Sequence, residues 1–386
     1  MKGFFNLSHL SAGFTTVLVG YTSSVVIVIQ AATASGTNPA QIESWLLTLG
    51  VVMGLTSILY SWFYKTPIVT AWSTPAAVML AASAGQYSLP VVIGAFMFSG
   101  ALFTLTGMLA PLTRALSKIP VPLGTAMLGA ILLPFCAKAF TPLTDTPALF
   151  ALLFTSYLLA KHFVPRYTML VLLLVSLGSA LALGSFQHAD LALRIATPIW
   201  VTPEFDWLAM LNLALPLYLI TMLSQNLPGI AMLKSYQYDA PIKPILVGTG
   251  LATLMSAPFG GFSVNLAAIS AAICMSEDVD QDKTQRYRAV LWAGGFYLLA
   301  GIFAALVVNL FLALPKPISA MLAGLALLGT LMMCLQSAFK IDEYREPALV
   351  TFVITLSGAT LFGMSATLIG LVIGLAYLRL TTRPRP

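Results

Sequence analysis

The sequence predicts an all-α integral membrane protein of fourteen transmembrane segments, a 7+7 inverted repeat with two half-helices preceded by short extended strands at the bilayer midplane. Three observations predict it. Hydrophobic residues fill 59% of the 386 positions and charged residues only 8%, about a third of the share that a water-facing domain carries, so the exterior must face hydrocarbon. Lysines and arginines fall in alternate loops. Two segments, one in each half of the chain, are interrupted by breaker residues at corresponding places.

Crossing about 30 Å of hydrocarbon takes roughly 20 helical residues. Apolar segments lie at 10–34, 40–64, 88–113, 121–140, 146–163, 167–184, 207–233, 242–257, 285–312, 316–339, 346–362 and 364–380, with shorter pieces at 74–84 and 264–276. Together they make fourteen. The last two offer about 16 residues per pass, which tilt or local thinning accommodates. With both termini cytoplasmic, sixteen of the Lys and Arg residues fall inside and three (Lys138, Arg194 and Lys316) outside, the bias expected of an inner-membrane protein. Dropping either short piece inverts the loops after it and spoils that pattern. Met1 to Ser11 holds one Lys and runs straight into an apolar segment, so no cleavable leader is expected. Ser185 to Asp206 is the largest polar stretch and predicts an extended outer crossover between the halves.

The net charge of +6 is scattered between apolar segments, which argues against nucleic acid as a partner. Cys136, Cys274 and Cys334 sit in apolar stretches without CxxC spacing and read as small core residues. No metal or cofactor is expected.

In the first half, 48 residues without a charge separate Lys65 from Arg114, too many for one crossing. Thr66 to Trp72 is proline-led and β-branched, hence extended. Ser73-Thr74-Pro75 then opens a helix of half the membrane thickness, Thr74 to Ala84, with Ser as N-cap and Pro in the first turn. In the second half, Ala257 to Phe262 is the breaker-rich stretch, and Ser263 is expected to open a helix over Val264 to Met275. Ser73 and Ser263 are 190 residues apart, close to the offset between the first segments of the two halves. Seven segments per half is an odd number, so the second half runs inverted. Extended backbone survives at membrane depth only where protein or a cavity satisfies it, and paired interruptions of this kind point to a transporter's midplane site.

No Asp or Glu falls in a segment interior, and His9, His162 and His188 lie near segment ends. A cation transporter or proton pump would need a carboxylate at depth. Two opposed half-helix N-termini, each with free amides and about half a positive charge, suit an anion instead. The candidate pocket residues are Ser24 with Tyr21 in the first segment, Ser73, Thr74, Ser263 and Asn265 at the half-helix starts, and Gln225-Asn226 in the eighth segment. Trp72 and Phe262, just before those starts, are placed to sandwich a flat apolar group. Serines in membrane helices also bond back to carbonyls, and aromatics also fill cores, so each has a structural reading beside the functional one.

Gly20 to Ser24, Thr70 to Pro75, Ser224 to Gly229 and Gln281 to Arg286 resemble the bacterial benzoate membrane-transport (BenE) family, over essentially the whole chain. The Ala71–Pro75 and Ser224–Gly229 stretches are the more specific. The family is described as benzoate:proton symporters and is distantly similar to uracil permease and the SulP anion transporters. The resemblance implies a core domain of residues 1–118 and 207–313 (segments 1–4 and 8–11) and a gate domain of residues 119–206 and 314–386 (segments 5–7 and 12–14). Substrate is implied between the third and tenth segments, with alternating access by motion of core against gate. Nucleobase symporters of this architecture carry glutamates in the eighth and tenth segments; the closest positions here are Gln225 and Asn265 or a neighbour, so the usual proton carrier is missing.

The expected function is therefore import of benzoate or a similar aromatic carboxylate across a bacterial inner membrane. A proton is a candidate co-substrate and a homodimer a candidate assembly. The rivals are a channel or uncoupled exchanger for inorganic anions and a nucleobase-type symporter. An intramembrane enzyme would need a buried catalytic constellation, and none is visible.

Overall fold

The computed structural model describes residues 6–109, 111–112, 116, 118–184 and 194–381, and among these the regular structure is helical apart from two three-residue strands. In the first half, α1 (Leu7–Ala34), α2 (Pro39–Tyr64), β1 (Thr70–Trp72), α3 (Thr74–Ser83), α4 (Leu89–Met108), α5 (Val121–Lys138), α6 (Pro147–Phe163) and α7 (Thr168–Ala182) follow one another. The second half holds α8 (Trp207–Ser235), α9 (Ile242–Ser256), β2 (Val264–Leu266), α10 (Ile269–Met275), α11 (Tyr287–Ile302), α12 (Ala304–Leu312), α13 (Lys316–Phe339), α14 (Asp342–Ser357) and α15 (Ala366–Thr381). Eight described helices are long and apolar enough to cross a bilayer, nine when the bent pair α11–α12 counts as one span.

Polar residues at the ends set the helix boundaries. Asn6 caps α1 by accepting from the Ser8 amide, and Asn38 forms a reciprocal capping box with Gln41 at the start of α2, where Pro39 supplies the preset φ. Asp206 caps α8 through the Ala209 amide at 2.8 Å. α9 stops at Ala257-Pro258-Phe259, and Gly260 follows at φ 93°, where a Cβ would overlap the Trp45 indole.

Helix packing falls along a few seams. α2 lies along α11, α4 along α9, and α1 against α11, α3 and α10; separately, α5 lies along α13 and α14, and α14 along α15. The α2–α11 seam is closed by glycine: a Cβ on Gly50 would sit 2.6 Å from the Gly301 Cα. With no driving force between apolar helices in lipid, such backbone approach is what makes dispersion contacts dense enough to hold them.

Strands β1 and β2 pair antiparallel, Thr70 with Leu266, Ala71 with Asn265 and Trp72 with Val264. Their outward-facing polar groups are met by side chains from the surrounding helices, as burial in an apolar medium requires. Ser57 Oγ accepts from the Thr70 amide and Ser61 Oγ from the Ile68 amide, one helical turn apart on α2. Thr253 Oγ1 on α9 takes the Val264 amide, and Asn226 Oδ1 on α8 takes the Leu266 amide, both at 3.0 Å.

Three sequence expectations are corrected. The second half-helix does not open at Ser263: residues 264–266 are drawn into the ladder with β1, and α10 begins only at Ile269. The 285–312 segment is not one straight helix, because it bends by 62° at Phe303; the Ile302 carbonyl freed there accepts from the Ala196 amide. The 346–362 segment is shifted a turn earlier, to Asp342–Ser357. The crossover is extended over its described part, 194–206, as expected, and it is stapled down: Ile199, Val201 and Glu204 donate to Ser44 Oγ, Pro258 O and Pro90 O, and Arg194 pairs with Glu43. Lys2, Arg114, His188, Asp190, Arg383 and Arg385, used in the reading of sidedness and of the crossover, lie outside the described residues.

Candidate functional site

The paired strands and the helices on either side enclose a cavity of about 520 Å³, within the range of small-molecule sites. One wall comes from α1, from the end of β1 with the start of α3, from α8, and from Ala267 to Ser270 ahead of and within α10; the facing wall comes from α5 and α13. No charged side chain lines it among the described residues.

Four of the sequence candidates reach this cavity: Ser24, Trp72, Thr74 and Gln225. Trp72 is held in place twice. Its Nε1–H donates to Ser24 Oγ at 2.9 Å, and its ring packs on Tyr21 with centroids 5.1 Å apart. Ser24 in turn donates to the Gly20 carbonyl at 2.8 Å, so its hydroxyl is committed to fixing the indole. Tyr21 stands behind Trp72 and does not line the cavity.

Gln225 owes its direction to a local widening of α8. Met222–Asn226 is a π-turn, a deformation that inserts a residue into a helix and is frequent at functional sites. It sends the two adjacent amides to different tasks. Gln225 faces the cavity, whereas Asn226 is 1% exposed, accepts from the Leu266 amide and donates to Met222 Sδ at 3.3 Å. Pro228 follows one turn on, at a position where its missing N–H is tolerated by the widened backbone.

At the first half-helix, Ser73 is the N-cap and its Oγ accepts from the Ala76 amide at 3.2 Å. Pro75 has no N–H, so the Thr74 amide is the donor left open in that first turn. The turn therefore offers one amide and the helix dipole, fewer donors than the sequence suggested. Phe262, Ser263 and Asn265 are removed from the cavity. Phe262 is fully buried between Trp45 and Phe96, with centroids at 5.9 and 5.5 Å. Ser263 takes φ 45° and Asn265 Nδ2 donates to the Ser263 carbonyl at 2.8 Å. Both belong to the strand crossing because the ladder displaced the helix start.

The cavity also gathers residues that the sequence reading passed over: Ser270, Tyr297, Thr330, Cys334 and Ser337. Ala326, Thr330, Cys334 and Ser337 recur at helical spacing on α13, a small-residue face among apolar neighbours that marks a side open to something other than lipid. Tyr297 carries no such local signal.

Chemically, the arrangement suits a small flat solute with one polar end. An indole edge and aliphatic side chains cover a ring, while a carboxamide and the start of a ten-residue helix receive an acid group by hydrogen bonding and dipole.

A family model described as "Benzoate membrane transport protein" matches residues 3–380. Inner membrane protein YdcO of Escherichia coli (strain K12) is 40% identical over 365 residues, covering 95% of this chain and 93% of that protein. The benzoate membrane transport protein of Acinetobacter baylyi is 35% identical over 385 residues, covering 100% and 98%. Among solved structures, the transmembrane domain of the cyanobacterial bicarbonate transporter BicA superposes with a TM-score of 0.62 at 17% identity, covering 97% of this chain and 98% of that one. SLC26A9 does so with a TM-score of 0.67 at 13% identity, covering 98% of this chain and 66% of the longer SLC26A9 chain. Those two likenesses establish the fold, an all-helical membrane fold. The near-full-length family match and the two relatives settle the kinship: this chain is a transporter of the BenE benzoate membrane transport family.

Proposed function

We propose that the chain is a secondary active transporter that imports benzoate or a similar aromatic carboxylate across a bacterial inner membrane. The observation that carries this reading is the uncharged cavity that joins the Trp72 indole, the Gln225 carboxamide and the first turn of α3. The ring of the substrate lies against Trp72. Its carboxylate meets the Thr74 amide at the positive end of α3, and Gln225 adds a hydrogen bond. Ser24 and Tyr21 act through Trp72 and Asn226 through β2, while Ser73, Phe262, Ser263 and Asn265 support the strand crossing.

The fourteen-segment count follows if α3 and α10 are the third and tenth segments and α11–α12 is one bent crossing. Residues 1–118 and 207–313 then form the core and residues 119–206 and 314–386 the gate, the second half inverted relative to the first. The packing seams support that division, since α5, α13, α14 and α15 contact one another more than they contact α1–α4 or α8–α11. The bias of Lys and Arg places both termini in the cytoplasm. It places there too the cavity mouth, where Val121, Ile269 and Met333 are half-exposed or more, so the conformation is the inward-open one. Alternating access moves core against gate around the bound ring. Because no lining residue is an acid or a histidine, a co-transported proton rides on the substrate's own carboxyl group.

Counterflow of labelled benzoate in proteoliposomes tests the reading. Rapid exchange, competed by aromatic and not by short aliphatic acids, is the expected result. No exchange together with large chloride currents would replace it with an inorganic-anion channel.

A further inference from the structure

α8 widens twice, and its other π-turn, Met210–Ala214, has Asn212 at its centre. This turn sits near the end of α8 that Asp206 caps, far from Gln225. The Asn212 carboxamide uses both of its ends on one loop, the link between α14 and α15. Nδ2 donates to the Gly363 carbonyl at 2.5 Å and Oδ1 accepts from the Ser365 amide at 2.7 Å. The loop is itself shaped to present those two groups, since Leu361 and Met364 exchange backbone hydrogen bonds at 2.9 and 3.2 Å. Leu208, one turn back on α8, closes on the same point: a Cβ on Gly363 would lie 3.2 Å from its Cδ2. The helices on either side of the loop pack mainly on each other and on α5 and α13.

We propose that Asn212 is an outer latch, which holds α8 to the α14–α15 loop while the cavity is open to the cytoplasm and lets go when it opens outward. The proposal rests on the core-and-gate reading above. There α8 belongs to the core, the loop to the gate, and both lie at the face opposite the cavity mouth. Any motion that opens a path between core and gate on that face must separate Asn212 from Gly363 and Ser365. The site is partly exposed, so water replaces the two hydrogen bonds when they part. Their net effect is a bias between states and not a block. At the low end of what a neutral hydrogen bond contributes, two of them change the inward-to-outward ratio about fivefold. A π-turn is otherwise an unfavourable way to build a helix. Here it directs a two-pronged side chain at a loop that no regular helix turn at this place is bound to face.

Thr330 lines the cavity and is half-buried, and Thr330→Cys serves as the reporter beside three native cysteines that are buried. Asn212→Ala is expected to lower, about fivefold, the ratio of its alkylation rate from the cavity-mouth side to that from the opposite side, with a membrane-impermeant maleimide and assignment by mass spectrometry. The double variant Asn212→Cys/Ser365→Cys, oxidised to a disulfide, is expected to stop benzoate uptake and to recover it on reduction. Uptake by the cross-linked protein at the uncross-linked rate would overturn the latch. So would a pair that refuses to cross-link, or a two-sided labelling ratio at Thr330→Cys unchanged within twofold in Asn212→Ala. Wild-type protein that takes up no benzoate sinks the transport reading instead, so the two failures are distinguishable.

Discussion

Replacing Asn226 by Ala separates the strand crossing from the helix that anchors it. The Asn226 carboxamide is 1% exposed, and its Oδ1 is the acceptor for the Leu266 amide at 3.0 Å. Leu266 is 1% exposed, and a Cβ on Gly229 would lie 2.6 Å from its own Cβ, so no water has room to take over the hydrogen bond. An orphaned buried amide costs about 1–3 kcal/mol, which corresponds to roughly a 5- to 150-fold change in the ratio of intact to broken crossing. The next residues along, Ala267 to Ser270, form part of the cavity wall, so the loss is felt as weaker substrate binding. Isothermal titration of benzoate into the purified variant should show an affinity reduced at least fivefold while the helical circular dichroism is retained. Benzoate affinity within twofold of wild type would refute the idea that this single side chain holds the wall in place.

Three further outcomes are expected. Ser24→Ala leaves the Trp72 indole N–H without its partner and frees the ring to turn, so benzoate affinity should fall by about 1–2 kcal/mol, and the Trp72 fluorescence spectrum should broaden; an unchanged spectrum counts against the positioning role. Gly50→Ala drives a methyl into the Gly301 backbone and should lower stability by about 1–3 kcal/mol through overpacking, read as the midpoint of thermal aggregation in detergent. Asp282 lies in an exposed loop, where the Thr284 hydroxyl and then the Thr284 amide hydrogen-bond its carboxylate and hold its pKa below the usual value. A depressed folded pKa means that the stabilisation of the 282–285 turn is fully present above the ordinary carboxylate range and lost as pH falls through the depressed value. Amide exchange at Thr284 should therefore speed up, beyond its intrinsic pH dependence, only at strongly acid pH.

Much of the architecture is written in composition and breakers. Pro67, the β-branched run to Trp72 and Ser73-Thr74-Pro75 carry the first half-helix to within a residue of where it lies, because capping and φ preset are local effects. The second half-helix was misplaced because pairing of Val264–Leu266 with β1 is a contact across 194 residues, and no local preference at Ser263 reveals it. The same non-local cause moved Asn265, Ser263 and Phe262 away from the cavity. Gln225 and Asn226 were legible as unusual, since two amides together at membrane depth need a reason. Their division of labour was not, because it depends on a π-turn that no residue in 222–226 dictates. The facing wall from α13 went unnoticed, as small residues in an apolar helix look the same whether they meet another helix or a solute.

That no acid, base or histidine lines the cavity among the described residues has an electrical corollary. An empty binding region made of neutral side chains contributes no charge to the voltage-dependent step, so the membrane potential acts on whatever charge the cargo brings. A bare monovalent anion moving into a negative interior works against about 2.3 kcal/mol per 100 mV, enough to hold its distribution roughly fifty-fold toward the outside. The same cargo carrying its own proton crosses as a neutral particle and feels none of that opposition. Concentrative uptake through such a lining is then driven by the pH difference alone, and collapsing the voltage with potassium and valinomycin should leave its extent untouched.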